Sequence, residues 1–107
     1  MIKEFSKDKA KTPGISVIRF GSVQCGPCAS YKPVFNEFAQ DIDVPCFEFD
    51  ITPDNANVAV QYGIRALPST IILANGECVN RIAGVLTKVE LVSAVDAAKE
   101  QLANQEG

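Results

Sequence analysis

Histidine and tryptophan are both absent from the 107 residues of this chain. Without histidine there is no imidazole base, no Ser-His or Cys-His nucleophile pair, and no His-containing zinc site. No apolar run approaches the ~20 residues of a membrane-spanning helix. The stretch from Met1 to Lys11 lacks an apolar h-region, so no secretory signal is expected there. No period of roughly 20–50 residues repeats, which excludes solenoids and propellers. Basic side chains are outnumbered, 10 against 13 acidic ones, for a net charge of −3. A nucleic-acid binder meets its phosphates with clustered Lys and Arg. The one basic cluster, Lys3, Lys7, Lys9 and Lys11, is interrupted by Glu4 and Asp8 and reads as a solvated surface.

What remains suits one small domain. Apolar residues make up 47% and charged residues 21%, close to an ordinary folded domain. The length is too short for two independent cores. Four cysteines are present: Cys25, Cys28, Cys46 and Cys78. That is sparse for a secreted disulfide miniprotein, and the apolar content suffices for a core. A cytoplasmic protein with reduced structural thiols is expected, monomeric, without membrane or nucleic-acid partners.

Periodicity divides the chain into strands and helices. Val17-Ile18-Arg19-Phe20-Gly21 is apolar and β-rich. Phe47, Phe49 and Ile51 alternate within Val44 to Ile51, a second strand. Ser69 to Ala74 is apolar on both faces, as in a sheet covered on both sides. Asn75-Gly76 is a strong hairpin signal, and Glu77 to Ala83 returns antiparallel. Ile2 to Phe5 reads as a short edge strand. Tyr31, Val34, Phe35, Phe38, Ala39 and Ile42 share one face of a helix over Cys25 to Ile42, with Pro33 inside it. Thr52-Pro53 resembles a helix start, followed by the stripe Val58, Ala59, Tyr62 and a stop at Gly63. Thr87-Lys88-Val89-Glu90 has capping-box spacing, and Leu91, Val92, Val95, Ala98 and Leu102 form the buried face of the last helix. With a short helix around Ser6 to Thr12, the order is β-α-β-α-β-α-β-β-α. An α/β fold is expected: a mixed central sheet with a parallel core, an antiparallel hairpin edge and helices on both faces. One domain covers 1–107, its core about 15–103, with the polar tail from Asn104 frayed.

Cys25-Gly26-Pro27-Cys28 lies where a strand ends and a long helix begins. Unpaired N–H groups and the positive dipole end at a helix start stabilise a thiolate. The thiolate is the attacking species in disulfide exchange. Two intervening residues let the second thiol reach the first, and Gly26-Pro27 fixes the turn. The bland alternative is a pair of inert buried cysteines. A bare C-x-x-C is weak; one that enters a helix inside a strand–helix–strand unit is strong.

The chain resembles the thioredoxin family. The matching residues are Phe20, Cys25 to Cys28, Pro33, Tyr62-Gly63-Ile64-Arg65-Ala66-Leu67-Pro68-Ser69, Asn75-Gly76-Glu77 and Gly84, and the likeness covers residues 15 to 103. It implies that Cys25 is the exposed nucleophile and Cys28 the buried resolving thiol, joined as a redox-active disulfide when oxidised. It implies that Pro68 is a cis-proline beside the nucleophile. It also implies a shallow substrate surface made by Gly26-Pro27, Ala66-Leu67-Pro68 and Ala83-Gly84-Val85, with Gln24 at its rim in place of a large aromatic. No cofactor or metal is needed in such a domain. Its partners would be disulfide-containing proteins and a thioredoxin-reductase-like electron donor.

Two departures stand out. The family usually carries Trp-Cys before Gly-Pro; here Val23-Gln24 precedes Cys25 and the chain lacks tryptophan. Arg19 occupies the place of a buried acid, and the lysine that partners that acid aligns with Cys46. Arg19 has two readings: a side chain snorkelling to solvent, or an ion pair with Glu48 or Asp50, Glu48 being preferred. Glu48 would then also offer a carboxylate for the Cys28 proton. Cys46 and Cys78 read as structural, beginning strands that are not neighbours.

Three functions compete. The leading one is a thiol–disulfide oxidoreductase that reduces protein disulfides through Cys25 and Cys28. Another is a non-catalytic thioredoxin-like scaffold module within a larger complex, which has no need to keep Cys-Gly-Pro-Cys intact. A zinc site would require further ligands converging on Cys25 and Cys28, and the chain holds no second C-x-x-C.

Overall fold

The computed structural model describes residues 2–6 and 8–106, so Lys7 of the basic cluster lies outside the described residues. The strands are β1 (Lys3–Glu4), β2 (Ile15–Gly21), β3 (Cys46–Asp50), β4 (Ser69–Ala74) and β5 (Glu77–Ala83). The α-helices are α1 (Gly26–Asp41), α2 (Ala56–Gln61) and α3 (Lys88–Glu106). They form one sheet in the order β1-β3-β2-β4-β5. β1, β3 and β2 run parallel, while β4 is antiparallel to β2 and β5 to β4. This is the expected parallel core with a hairpin edge.

Alternation along the strands sorts the core into two halves. Ile15, Val17 and Ile72 face Tyr31, Phe35 and Phe38 of α1 and Leu91 and Val95 of α3. Ile18, Phe20, Phe47, Phe49, Ile71 and Leu73 face the other way, with Phe5 and Ala59 of α2. Phe5 lies 5.8–6.4 Å, centroid to centroid, from Phe20, Phe47, Phe49 and Tyr62. All seven residues of β2 are buried, as a central strand covered on both faces requires.

The hairpin forms where its turn chemistry demands. Asn75 has φ 51° and Gly76 φ 88°, the positive pair of a primed turn. A Cβ on Gly76 would lie 2.7 Å from the Ala10 carbonyl oxygen, so this close approach needs glycine. At the start of α3, Glu90 N–H donates to Thr87 Oγ1 at 3.1 Å and Thr87 N–H to Glu90 Oε1 at 3.0 Å, the reciprocal capping box.

Three expectations are corrected. The helix around Ser6 to Thr12 is a three-residue 3-10 turn, Lys9–Lys11, because it has no buried residue to support a longer one. α2 starts at Ala56, not behind Thr52-Pro53. Asn55 is the reason: its Oδ1 accepts from Thr52 N–H at 2.7 Å, its Nδ2 donates to Asp50 O at 3.1 Å, and it closes a turn before the helix begins. α3 continues through Asn104 to Glu106, where a frayed tail was expected. Leu102 packs on the core and carries the helix onward. β5 has the expected bounds and direction, with one irregularity in its pairing. Ile72 pairs with Asn80 and Leu73 with Cys78, which leaves Val79 as a bulge.

One buried hydrogen bond ties α1 to the sheet: Tyr31 Oη and Thr70 Oγ1 lie 2.7 Å apart. Burial pushes the Tyr31 phenol up to about 12. The unfolded chain ionises it near 10, so its stabilising effect is complete below about pH 10 and fades as pH rises to about 12. Tyr31→Phe is expected to lower stability by about 1 kcal/mol at neutral pH. Urea unfolding should also show a shallower decline between about pH 10 and 12 than in the unmodified chain. An alkaline decline as steep as before would show that Tyr31 is not its source.

Candidate active site

β2 ends at Gly21, and five residues later the chain enters α1. Cys25 is the N-cap of that helix, extended at φ −92° and ψ 112°, with its Sγ accepting from Cys28 N–H at 3.2 Å. A capping oxygen makes the same contact at other helix starts. Pro27 sits in the first turn, where a missing N–H costs nothing. Cys25 and Cys28 form a disulfide with their Cα atoms 5.2 Å apart. Cys25 is half-buried, whereas Cys28 is 4% exposed. Gln24, Gly26 and Pro27 are exposed around them.

The other expected surface segments gather at the same end of the sheet. The Leu67–Pro68 peptide is cis. Pro68 precedes Ser69, whose strand partner is Phe20, near the end of β2. Gly84 N–H donates to Pro68 O at 2.8 Å and so joins Ala66-Leu67-Pro68 to Ala83-Gly84-Val85. Pro68 is buried, Leu67 and Gly84 are half-buried, and Ala66, Ala83 and Val85 are exposed. Val23, which the sequence reading left unassigned, is 93% exposed. A small apolar side chain standing free beside the disulfide has no packing role.

Arg19 does not snorkel. It is 1% exposed, and its Nη2 donates to Glu48 Oε2 at 2.7 Å. The register explains the choice: β2 and β3 set Arg19 directly opposite Glu48. Cys46, the expected counterpart of the family's lysine, instead faces Val17 two pairs away. Asp50 is not the ion-pair partner. It lies opposite Gly21 and lines a cavity of about 220 Å³ with Arg19, Ser22, Val23, Cys25, Cys28, Ala29 and Lys32. Lys32 is the charged neighbour that the sequence reading missed. It is exposed on α1 four residues after Cys28, and that i, i+4 spacing, one helical turn, is the signal that could have found it.

A family model for thioredoxin matches residues 2–97. The chain belongs to the thioredoxin family. Thioredoxin 2 of Chlorobaculum tepidum is 30% identical over 95 residues, 88% of this chain and 87% of that one. The chloroplastic thioredoxin M5 of Oryza sativa is 32% identical over 82 residues, 75% of this chain. Those residues make up 47% of the rice protein, so the chain spans about half the length of that plastid relative. The crystal structure of spinach chloroplast thioredoxin f, short form, superposes with a TM-score of 0.80 at 28% identity, covering 92% of this chain and 93% of the other. Thioredoxins are protein-disulfide oxidoreductases. Family membership and the Cys25–Cys28 disulfide together support thiol–disulfide oxidoreductase function here. Among the described residues no cluster of three or more His, Cys, Asp or Glu side chains could hold a metal. No helix among them is long and apolar enough to cross a membrane.

The remaining cysteines are free and differ sharply. Cys46 is buried in β3, and burial pushes its thiol up to about 12. Cys78 is exposed on β5. They lie on strands separated by β2 and β4, which agrees with their reading as unpaired. Thiolate is the species that alkylates. Iodoacetamide at pH 8 is therefore expected to modify Cys78 in the folded, oxidised protein and to leave Cys46 untouched until the chain unfolds. Peptide mass mapping before and after adding urea checks this, and early labelling of Cys46 would contradict it.

Proposed function

We propose that this chain reduces protein disulfides, with Cys25 as nucleophile and Cys28 as resolving thiol. The Cys25 thiolate attacks one sulfur of a substrate disulfide, forming a mixed disulfide and releasing the other sulfur as a thiolate, which takes a proton from water. The Cys28 sulfur then attacks Cys25 Sγ. The Cys25–Cys28 bond forms, the Cys25–substrate bond breaks, and the electron pair leaves on the second substrate sulfur. The substrate gains two electrons and the site loses two.

The observation that carries this reading is the asymmetry of the pair. Cys25 is half-buried at the helix N-cap, next to exposed Gly26 and Pro27, while Cys28 lies behind it at 4% exposure. A thiolate at Cys25 would receive the Cys28 N–H as a charge-assisted bond and would sit at the positive end of α1. Gln24, Ala66, Leu67, Pro68, Ala83, Gly84 and Val85 are assigned the substrate surface. An extended peptide would lie along the Pro68 loop in strand-like fashion. Gln24 makes this contact flatter and more polar than an aromatic rim.

In this reading the domain acts as a monomer and needs no cofactor beyond its own sulfurs. A thioredoxin-reductase-like partner supplies electrons, so the domain serves electron transport and redox homeostasis. We assign it to the cytoplasm, because Cys46 and Cys78 are free thiols and a reducing compartment keeps them so. Dithiothreitol-driven reduction of insulin tests the chemistry. The unmodified chain is expected to accelerate insulin precipitation, and Cys25→Ser to abolish the acceleration. Acceleration that survives the substitution would reject Cys25 as the nucleophile, and a chain that never accelerates precipitation would leave the scaffold reading in place.

A further inference from the structure

Arg19 lies in a part of the molecule that the exchange chemistry has not used. Alternation in β2 turns its side chain toward α1, on the same face as Val17 and Tyr31. Gly21, two residues on, has no side chain to block it. A Cβ built on Gly21 would lie 2.8 Å from Arg19 Nη1 and 3.4 Å from Cys28 Sγ. Both atoms therefore crowd the same point, which places the charge within about 6 Å of the sulfur, the range over which an opposite charge favours the ionised form. Among the described residues Arg19 Nε has no hydrogen-bond partner, although it is fully buried.

Other charges surround the pair, and their positions decide which one dominates. From β3, Glu48 pairs with Nη2 and neutralises the far side of the guanidinium. Its side chain is 34% exposed and lines a different cavity, with Ile2, Lys32, Asn36, Ala39 and Gln40. Asp50 from β3 and Lys32 from α1 line the cavity that holds both sulfurs, but both are exposed to water. Tyr31 of α1 is engaged with Thr70 of β4. Exposed charges of opposite sign are screened by solvent and offset one another; a buried charge is screened far less. Arg19 is the only buried ionic side chain beside Cys28 among the described residues.

We propose that Arg19 is a positioning residue for the resolving step, holding the Cys28 sulfur as a thiolate in the reduced site so that resolution needs no neighbouring base. This rests on the disulfide-exchange reading above. When the pair is reduced, Cys28 gives its proton to water through the adjoining cavity instead of to a carboxylate. Its thiolate then attacks Cys25 Sγ directly, and the departing substrate thiolate is protonated by solvent. Atoms and electrons balance without an added reactant. Glu48 does not take the proton, since it is committed to the guanidinium. Stabilising a thiolate stabilises the reduced form, so the Cys25–Cys28 couple becomes more oxidising than it would be without Arg19.

The test uses Cys25→Ser as background and follows iodoacetamide labelling of Cys28 by peptide mass mapping from pH 5 to 10. The Cys28 midpoint is expected below the free-thiol value of about 8.5. Adding Arg19→Gln should raise it and slow labelling at pH 7 by roughly tenfold, and Arg19→Lys should restore most of the loss. Adding Glu48→Gln instead should lower the midpoint, because it removes the counter-charge. Access to the sulfur changes the rate at every pH but not the midpoint, so a purely structural Arg19 would move neither. Unchanged midpoints in folded Arg19→Gln and Glu48→Gln proteins overturn the proposal. If Arg19→Gln does not fold, Glu48→Gln decides alone, and an unchanged or raised midpoint there overturns it. Insulin reduction by the unmodified chain is scored separately. Its failure removes the exchange reading without touching the midpoints.

Discussion

A guanidinium that is 1% exposed at the centre of a sheet has to be paired, and much of this structure follows from how Arg19 is paired. Its two strand neighbours in register are Glu48 on β3 and Thr70 on β4. The three side chains form a polar row across the sheet beneath the first turns of α1. Glu48 meets Nη2, and Thr70 meets the Tyr31 hydroxyl that descends from the helix. A slip of one residue in β2 would turn Arg19 into the phenylalanine cluster on the opposite face and bring Ile18 and Phe20 under the polar row. The row therefore fixes strand register and helix position together. Removing Glu48 leaves the buried Arg19 guanidinium without its partner, and removing Thr70 does the same to the buried Tyr31 hydroxyl, which is the costly kind of change in a low-dielectric interior.

With α1 held this way, the reactive pair is a matter of geometry at its start. The N-cap position leaves Cys25 outside the helix, and the third helical position turns Cys28 inward. Helical spacing then sends Tyr31, Phe35 and Phe38 down the same buried face as Cys28. One sulfur faces the exterior and the other the sheet, three residues apart, because the helix begins between them. The loop with cis Pro68 reaches this end of the sheet because β4 pairs antiparallel with β2 and begins beside Phe20.

Much of this was legible in the residues, and the parts that were not share a cause. β4 and β5 have the expected bounds because Asn75-Gly76 marks the turn between them with backbone chemistry that few other residues supply. The start of α3 is written in Thr87 and Glu90 for the same reason. α2 was placed too early because Thr52-Pro53 carries a good local signal that Asn55 overrides with bonds to Thr52 and Asp50. The Val79 bulge leaves no mark in an exposed edge strand whose apolar pattern is weak. Cys25 and Cys28 could be singled out from spacing and position alone. The partner of Arg19 could be narrowed to two acids on one face of β3, and only the register of two parallel strands selects Glu48 over Asp50. Lys32 was legible as a neighbour of Cys28 from its i, i+4 spacing on α1, whereas Asp50 joins the same cavity only through the way β3 sits beside β2.

The lack of histidine then takes on a different meaning. A chain with no imidazole must ionise its thiols by other means, and each of the four cysteines sits in a different field. Cys46 is enclosed by apolar side chains, which pushes its thiol up to about 12 and leaves it inert. Cys78 lies exposed on an edge strand. Cys25 has a backbone N–H aimed at its sulfur and a helix dipole behind it. Cys28 is as buried as Cys46, at 4% exposure each, so burial alone would make it equally inert. The difference between them is the charge nearby. Cys46 has Val17 opposite it in the sheet, and Cys28 has Arg19 across the gap left by Gly21. Fixed backbone dipoles and one buried cation thus stand where a titrating base would otherwise be needed.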